Sequence, residues 1–416
     1  MTTPRCLTIA GLTLFGMAST FFASSQLAAG NDAAQSARSL TVSTIAAQTG
    51  SLSDAKELRV YFGTYTRGGK SEGIYTAVMS LDDGSLSEPV LAGKETNPSF
   101  LAIDPIKNRL YSVSEVTGEN GKPTGGVASH MIERKTGQLS LLNRQPSGGA
   151  GPCHVSVSKN GKALLVACYG GGTVASLPIS DFGLLWQAES NIQHTGSSVN
   201  PQRQEGPHAH SVNLDPQNHY AFVADLGLDQ VVIYRFDADA ATLTPNNPPY
   251  VKVPPGSGPR HFVFHPSGRF AYVINEMAST VTAFEYDSNA GKLTAIETIS
   301  TLPADFEGDN STAEVRVTPD GRFLYGSNRG HDSLAGFAID SETGRLKLIS
   351  HQSTLGKTPR NFEIDPTGKF IIAANQASDS VHVFRIDAKT GVLQPTGHSR
   401  KVASPVCVKF LLPAES

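Results

Sequence analysis

The chain has 416 residues and a formal net charge of −3, so its charge supports no nucleic-acid partner. That length exceeds what one ordinary hydrophobic core holds, which leaves two domains or a repeat array. With 40 Gly and 25 Pro beside 39% hydrophobic residues, a packed and turn-rich fold is expected rather than a disordered chain.

The N-terminus has the layout of a secretory signal over residues 1–29. Arg5 supplies a positive start, Leu7–Phe22 an apolar stretch, and Ala23–Ala29 small residues suited to cleavage. Thr8, Thr13 and Ser19 interrupt the apolar run, which is short for a retained membrane anchor, the competing interpretation. Residues 30–56 are rich in Ala, Ser, Thr and Gln without periodicity and form an expected flexible linker. A periplasmic or secreted protein follows, with no stable membrane insertion once the signal is removed. Cleavage discards Cys6. Cys153 and Cys168 flank the turn Lys159–Lys162, where a four-residue turn would set them opposite each other; a cross-strand disulfide and two buried thiols both fit.

From residue 57 to 412 the chain repeats itself. One type of strand recurs as NPSFLAID (97–104), GPCHVSVS (151–158), GPHAHSVNLD (206–215), GPRHFVFH (258–265), STAEVRVT (311–318), TPRNFEID (358–365) and SPVCVKFL (404–411). Each of the first six is followed by a returning strand such as LYSVSEV (110–116) or AYVINEM (271–277). A third strand comes next, and then a fourth that begins with Leu after a turn often containing Gly. Four short strands at a period of roughly fifty residues define a β-propeller blade. The first returning strand, VYFGTYT (60–66), lacks a preceding partner, and the last copy, SPVCVKFL, lacks followers. Joined, they complete one blade. The expected fold is therefore all-β: a seven-bladed propeller with four antiparallel strands per blade, closed by its own two ends.

In such a fold the entrance to each first strand and the end of each second strand share one mouth of the central channel. His208, His210, Arg260 and Arg360 come from the entrances, with His261 and Glu314 one position further in. Glu115, Glu276 and Arg329 come from the second-strand ends. In the segment GPRHFVFHPSGRFAYVINE (258–276) a hairpin brings Arg260 and Glu276 to the same edge. Taken singly, Arg260–Glu276 and Glu314–Arg316 fit structural ion pairs, and the histidines fit bonds to loop carbonyls. Their convergence from distant blades favours a site. The chain has no HExxH helix, paired-Cys metal motif or GxSxG elbow, and the acidic run Asp305, Glu307, Asp309 is unmatched elsewhere. Metal-free acid–base chemistry without a cofactor is the expectation.

The segments GPRHFVFHPSGRFAYVINE, AEVRVTPDGRFLYGSNRG and TPRNFEIDPTGKFIIAANQ, with EGPHAHSV upstream, resemble the seven-bladed propeller lactonases. That family includes propeller-type 6-phosphogluconolactonases and fungal carboxymuconate-lactonising enzymes. The resemblance spans residues 58–411 and implies a His–Arg–Glu–Arg constellation. The His falls on His210 or His208, the Arg residues on Arg260 and Arg329, and the Glu on Glu276. It also implies a small-molecule lactone as substrate, with Glu276 or His210 as general base and Arg329 or Arg260 stabilising the oxyanion. Arg360 would grip a substrate carboxylate or phosphate, and His208, His261 and Glu314 would complete the substrate contacts. An exported enzyme suits an unphosphorylated aldonolactone better than the intracellular 6-phosphogluconolactone. A muconate-type cycloisomerase and a non-catalytic binding propeller are the alternatives.

Overall fold

The returning strands are apolar on both faces, as strands enclosed between neighbouring sheets must be. All six residues of Ala163–Cys168 are buried, as are all six of Phe270–Asn275 and of Phe370–Asn375. The outermost strands instead alternate exposed and half-covered positions, as in Leu139–Pro146. This gradient from centre to rim is that of blades standing around an axis.

The computed structural model describes residues 55–413, apart from 105–106 and 118–124, together with Leu52. Among these residues, 28 strands form seven four-stranded antiparallel sheets. Six blades each use four consecutive strands, and blade 1 joins Pro405–Leu411 to Glu57–Thr64, Gly73–Ser80 and Val90–Lys94. The joint is a full antiparallel pairing, running from Arg59 opposite Leu411 to Thr64 opposite Pro405. The seven-bladed all-β fold and its closure are as the repeat predicts. The expected signal segment lies outside the described residues, as does almost all of the linker. No helix among the described residues is long and apolar enough to cross a membrane.

Blades pack through apolar clusters that span neighbours. Phe222 of blade 4 stacks on Phe262 of blade 5, with centroids 5.5 Å apart and planes within 1°. A second device recurs between blades: Tyr61, Tyr272 and Tyr325 donate their hydroxyls to the carbonyls of Gly137, Gly344 and Gly391 at 3.1, 3.0 and 2.7 Å. These glycines end the turn before the outer strand. Gly344 and Gly391 have φ near +70°, and a Cβ on either would lie 2.4 Å from a phenylalanine ring of the preceding blade. The Gly-containing turn seen in the sequence is therefore an inter-blade contact as well as a turn.

The inner strands depart from simple alternation. In blades 3, 4, 5 and 7 the pairing with the second strand skips one residue: Cys153, His210, Arg260 and Arg360 respectively. In blade 6 it skips Ala313 and Glu314. Each skip is a β-bulge, which turns the extra side chain away from the regular pleat. It also separates the two cysteines. Cys168 pairs with Pro152, while Cys153 in the bulge faces His210, with its sulfur 3.7 Å from Nδ1 and 3.3 Å from the His210 carbonyl oxygen. Cys168 Sγ instead approaches the Ser147 carbonyl at 3.6 Å. Cys153, Cys168 and Cys407 are free and buried, and burial pushes the Cys168 and Cys407 thiols up to about 11.

Two outcomes follow. Val408, fully buried at the closure, is expected to lose about 3 kcal/mol or more as Val408→Asp in urea denaturation. Val90→Asp, at an exposed outer-strand position, should change stability little; equal effects would refute closure as the critical contact. In denaturant without reductant, Cys153, Cys168 and Cys407 should all titrate as thiols, and loss of two of them would restore the disulfide.

Candidate active site

The entrances of the inner strands and the ends of the second strands enclose a cleft of about 650 Å³, a volume suited to a small molecule. Glu276 follows the strand Phe270–Asn275, and its backbone N–H donates to the Gly258 carbonyl at 2.7 Å. That bond ties it to the entrance of the neighbouring strand, where the bulge delivers Arg260. Arg260 Nε then donates to Glu276 Oε2 at 3.0 Å, and its Nη1 to the Ala313 carbonyl at 2.6 Å. Arg329 closes the strand Phe323–Arg329 of blade 6. Its Nη2 lies 3.0 Å from the same Oε2 and donates to the Thr312 carbonyl at 2.6 Å. Arg203 reaches the other oxygen, Oε1, at 2.7 Å and also lies 3.3 Å from the Tyr169 hydroxyl. Three guanidinium groups from three different segments thus hold one carboxylate.

Burial alone would raise the proton affinity of Glu276. The charges of Arg329 and Arg260 and the hydrogen bond from Arg203 outweigh it, and hold the carboxyl well below the usual range. Burial pushes Arg329 down to about 9, opposed by Glu276 and reinforced by Arg260 and Arg360; it is still cationic at neutral pH. His210, in the bulge of blade 4, is buried, and burial together with Arg260 and His261 lowers its pKa well below the ordinary value. It stands in the cleft wall as a neutral imidazole.

Arg360 differs from the other arginines. Its guanidinium lies 5.5 Å over the Tyr65 ring and makes no ion pair or side-chain hydrogen bond among the described residues. Beside it, Glu115 accepts the Tyr65 hydroxyl at 2.9 Å and the Ser99 hydroxyl, with Arg67 at 3.5 Å on the outer rim. Among the described residues, Arg203, Arg260, Arg329 and Arg360 face two carboxylates, Glu276 and Glu115. The interior of the cleft carries an excess of positive charge, so it attracts anions and stabilises developing negative charge.

The structure therefore brings His210, Arg260, Glu276, Arg329 and Arg360 together. It places His208 behind Tyr169, stacked on that ring at 4.5 Å and hydrogen-bonded through Nδ1 to the Tyr169 carbonyl at 3.0 Å. Of the two histidines, only His210 lines the cleft. His261 and Glu314 lie deeper, where they plug the channel below the cleft instead of forming its wall. His261 Nδ1 sits 3.0 Å from Glu314 Oε1, and its ring packs against Phe100, His154 and His210 at 5.4–5.5 Å. Glu314 is satisfied by Arg316 at 2.7 Å and by Asn361. The bulge explains the difference, because it turns Arg260 to the underside of Glu276, a residue of the cleft wall, and sets His261 one step further down the strand against Glu314. Arg203 was not signalled by the repeat, because its loop has no counterpart in other blades. No group of three or more His, Cys, Asp or Glu among the described residues could hold a metal ion.

This cleft sits at the channel mouth of a propeller whose sequence matches the family described as Lactonase, 7-bladed beta-propeller over residues 59–410. The chain belongs to the seven-bladed β-propeller lactonase family. It is 38% identical over 351 residues to a 6-phosphogluconolactonase of Bacillus subtilis, covering 84% of this chain and 97% of the relative. The structure of a periplasmic gluconolactonase of Pseudomonas aeruginosa is 36% identical with a TM-score of 0.80, covering 86% of this chain and all of that one. A putative 6-phosphogluconolactonase of Bacteroides fragilis is also 36% identical, with a TM-score of 0.79, covering 85% and 98%.

Glu276→Gln leaves the buried Arg260 and Arg329, and the partly exposed Arg203, without their shared anion and should cost about 3 kcal/mol at pH 7 in urea denaturation. The folded carboxyl titrates below its unfolded value of about 4.3, so its stabilisation is complete above that pH and is lost as pH falls toward the folded value. The gap between wild type and Glu276→Gln should therefore shrink below about pH 4. A gap independent of pH would show that the carboxylate does not carry the effect.

Proposed function

We propose that this protein hydrolyses a sugar lactone of the gluconolactone type to the open-chain acid, using its own side chains as acid, base and oxyanion stabilisers. The observation that carries this reading is Glu276 held by Arg260, Arg329 and Arg203 within a cleft of surplus positive charge. Lactone opening passes through a tetrahedral oxyanion and ends in a carboxylate, and both are anions that such a cleft favours.

In the proposed mechanism, Glu276 takes a proton from a water molecule as its oxygen bonds to the lactone carbonyl carbon. Arg329 and Arg260, fixed by the Thr312 and Ala313 carbonyls, stabilise the oxyanion. The bond between the carbonyl carbon and the ring oxygen then breaks, and protonated Glu276 returns the proton to the departing oxygen. His210, uncharged, offers hydrogen bonds to substrate hydroxyls, and Arg360 offers a two-pronged contact to a carboxylate or phosphate.

Two observations bear on phosphorylation. The signal-like segment 1–29 and the periplasmic gluconolactonase among the structural relatives support export and an unphosphorylated aldonolactone. The arginine surplus and the unpaired Arg360 support an acidic lactone, such as the 6-phosphogluconolactone implied by the name of the Bacillus relative. Acid release from glucono-1,5-lactone and 6-phosphogluconolactone, measured side by side with spontaneous hydrolysis subtracted, decides between them. On the preferred lactone, Glu276→Gln should lose more than about a hundredfold in kcat. Near-normal turnover by this variant would remove Glu276 from the role of base, and silence of the wild type on both lactones would refute the assignment.

A further inference from the structure

A carboxylate held by three guanidinium groups is a weak base, yet the proposed chemistry asks Glu276 to accept a proton. The three arginines are not equivalent. Arg260 and Arg329 are buried, with side chains 3% and 11% exposed, and each is also fixed by a backbone carbonyl. Arg203 is 43% exposed, and among the described residues its guanidinium has only Glu276 and the Tyr169 hydroxyl as partners. Its backbone, in contrast, is firmly seated. The Arg203 N–H donates to Asn200 Oδ1 at 3.1 Å, and the adjacent Gln204 is fully buried, donating through Nε2 to the Leu226 carbonyl at 2.8 Å. Arg203 is thus a long, partly solvated side chain on a rigid pivot at the cleft wall, and it is the one cation that can leave Glu276 without breaking a backbone contact.

We infer that Arg203 is a substrate-exchanged lock on Glu276: it pairs with the carboxylate in the empty cleft and transfers to the anionic substituent of an acidic lactone when one binds. The transfer does two things at once. It supplies a bidentate contact to a phosphate or carboxylate, and it removes one of the three cations that suppress the basicity of Glu276. Selectivity for acidic over neutral lactones then depends on this residue in addition to Arg360, because a neutral ligand offers nothing in exchange for the broken ion pair. The inference rests on the proposed lactone hydrolysis for its catalytic consequence, whereas the exchange of partners is a property of binding alone.

The test uses both. Calorimetric binding of 6-phosphogluconate and gluconate, the stable product acids, is compared for wild type, Arg203→Gln and Arg203→Lys. Wild type is expected to prefer the phosphorylated acid by roughly tenfold or more, Arg203→Gln to lose most of that preference, and Arg203→Lys to keep part of it. In turnover, the ratio of kcat/KM for 6-phosphogluconolactone to that for glucono-1,5-lactone should fall by at least that factor in Arg203→Gln. Equal wild-type affinity for the two acids, or a preference undiminished in Arg203→Gln, overturns the lock. If wild type turns over neither lactone, the hydrolase assignment fails, while the binding series still judges Arg203.

Discussion

A regular strand alternates its side chains between two faces, so two neighbouring residues cannot both be directed inward without a break in the pleat. The inner strands of this propeller contain that break at their entrances. One unpaired residue in blades 3, 4, 5 and 7 projects Cys153, His210, Arg260 and Arg360 toward the channel mouth, while the strand beyond resumes its normal register. The pairing that holds the blades together and the groups that line the cleft therefore occupy the same strands without competing for the same positions. Glu276 and Arg329 arrive from the far ends of second strands, where the ladder is finishing and side chains are free to turn inward.

The electrostatics follow from this placement. Burying Arg260 and Arg329 so close together is costly, and the energy is recovered only because one carboxylate and two backbone carbonyls receive their hydrogen bonds. Beneath them Phe100, His154 and His261 pack ring against ring, burial keeps the imidazoles uncharged, and the Glu314 carboxylate below is paired with Arg316. The cleft is a cationic bowl over a layer of uncharged rings, so its arginines act chiefly on whatever enters from the mouth.

Most of the fold was legible because it repeats. Seven copies of two strand patterns, with complementary gaps at the two ends, specify blade number and closure without reference to any single contact. The convergence of Arg260, Glu276 and Arg329 was legible for the same reason, since equivalent positions in equivalent blades must meet around an axis. What escaped is what the repeat does not encode. The bulges are invisible to an alternation pattern that treats each strand as uniform, and this is why His261 and Glu314 were expected at the wall and Cys153 opposite Cys168. Arg203 lies in a loop peculiar to blade 4, and its approach to Glu276 depends on the buried Gln204 and the turn at Asn200. His208 and His210 differ by two positions in sequence, yet one is turned behind Tyr169 and the other is delivered by a bulge.

Closure of the ring has a temporal side. During synthesis, Glu57–Thr64 emerges among the first strands of the propeller, but its partner Pro405–Leu411 emerges last. At usual translation speeds the interval is on the order of half a minute, long compared with the formation of a hairpin. Six blades can assemble from neighbouring segments while one edge of the first remains open to solvent and to other chains. The ring therefore joins its ends only after nearly the whole chain exists, and the strand made first in the fold keeps one edge waiting for the strand made last.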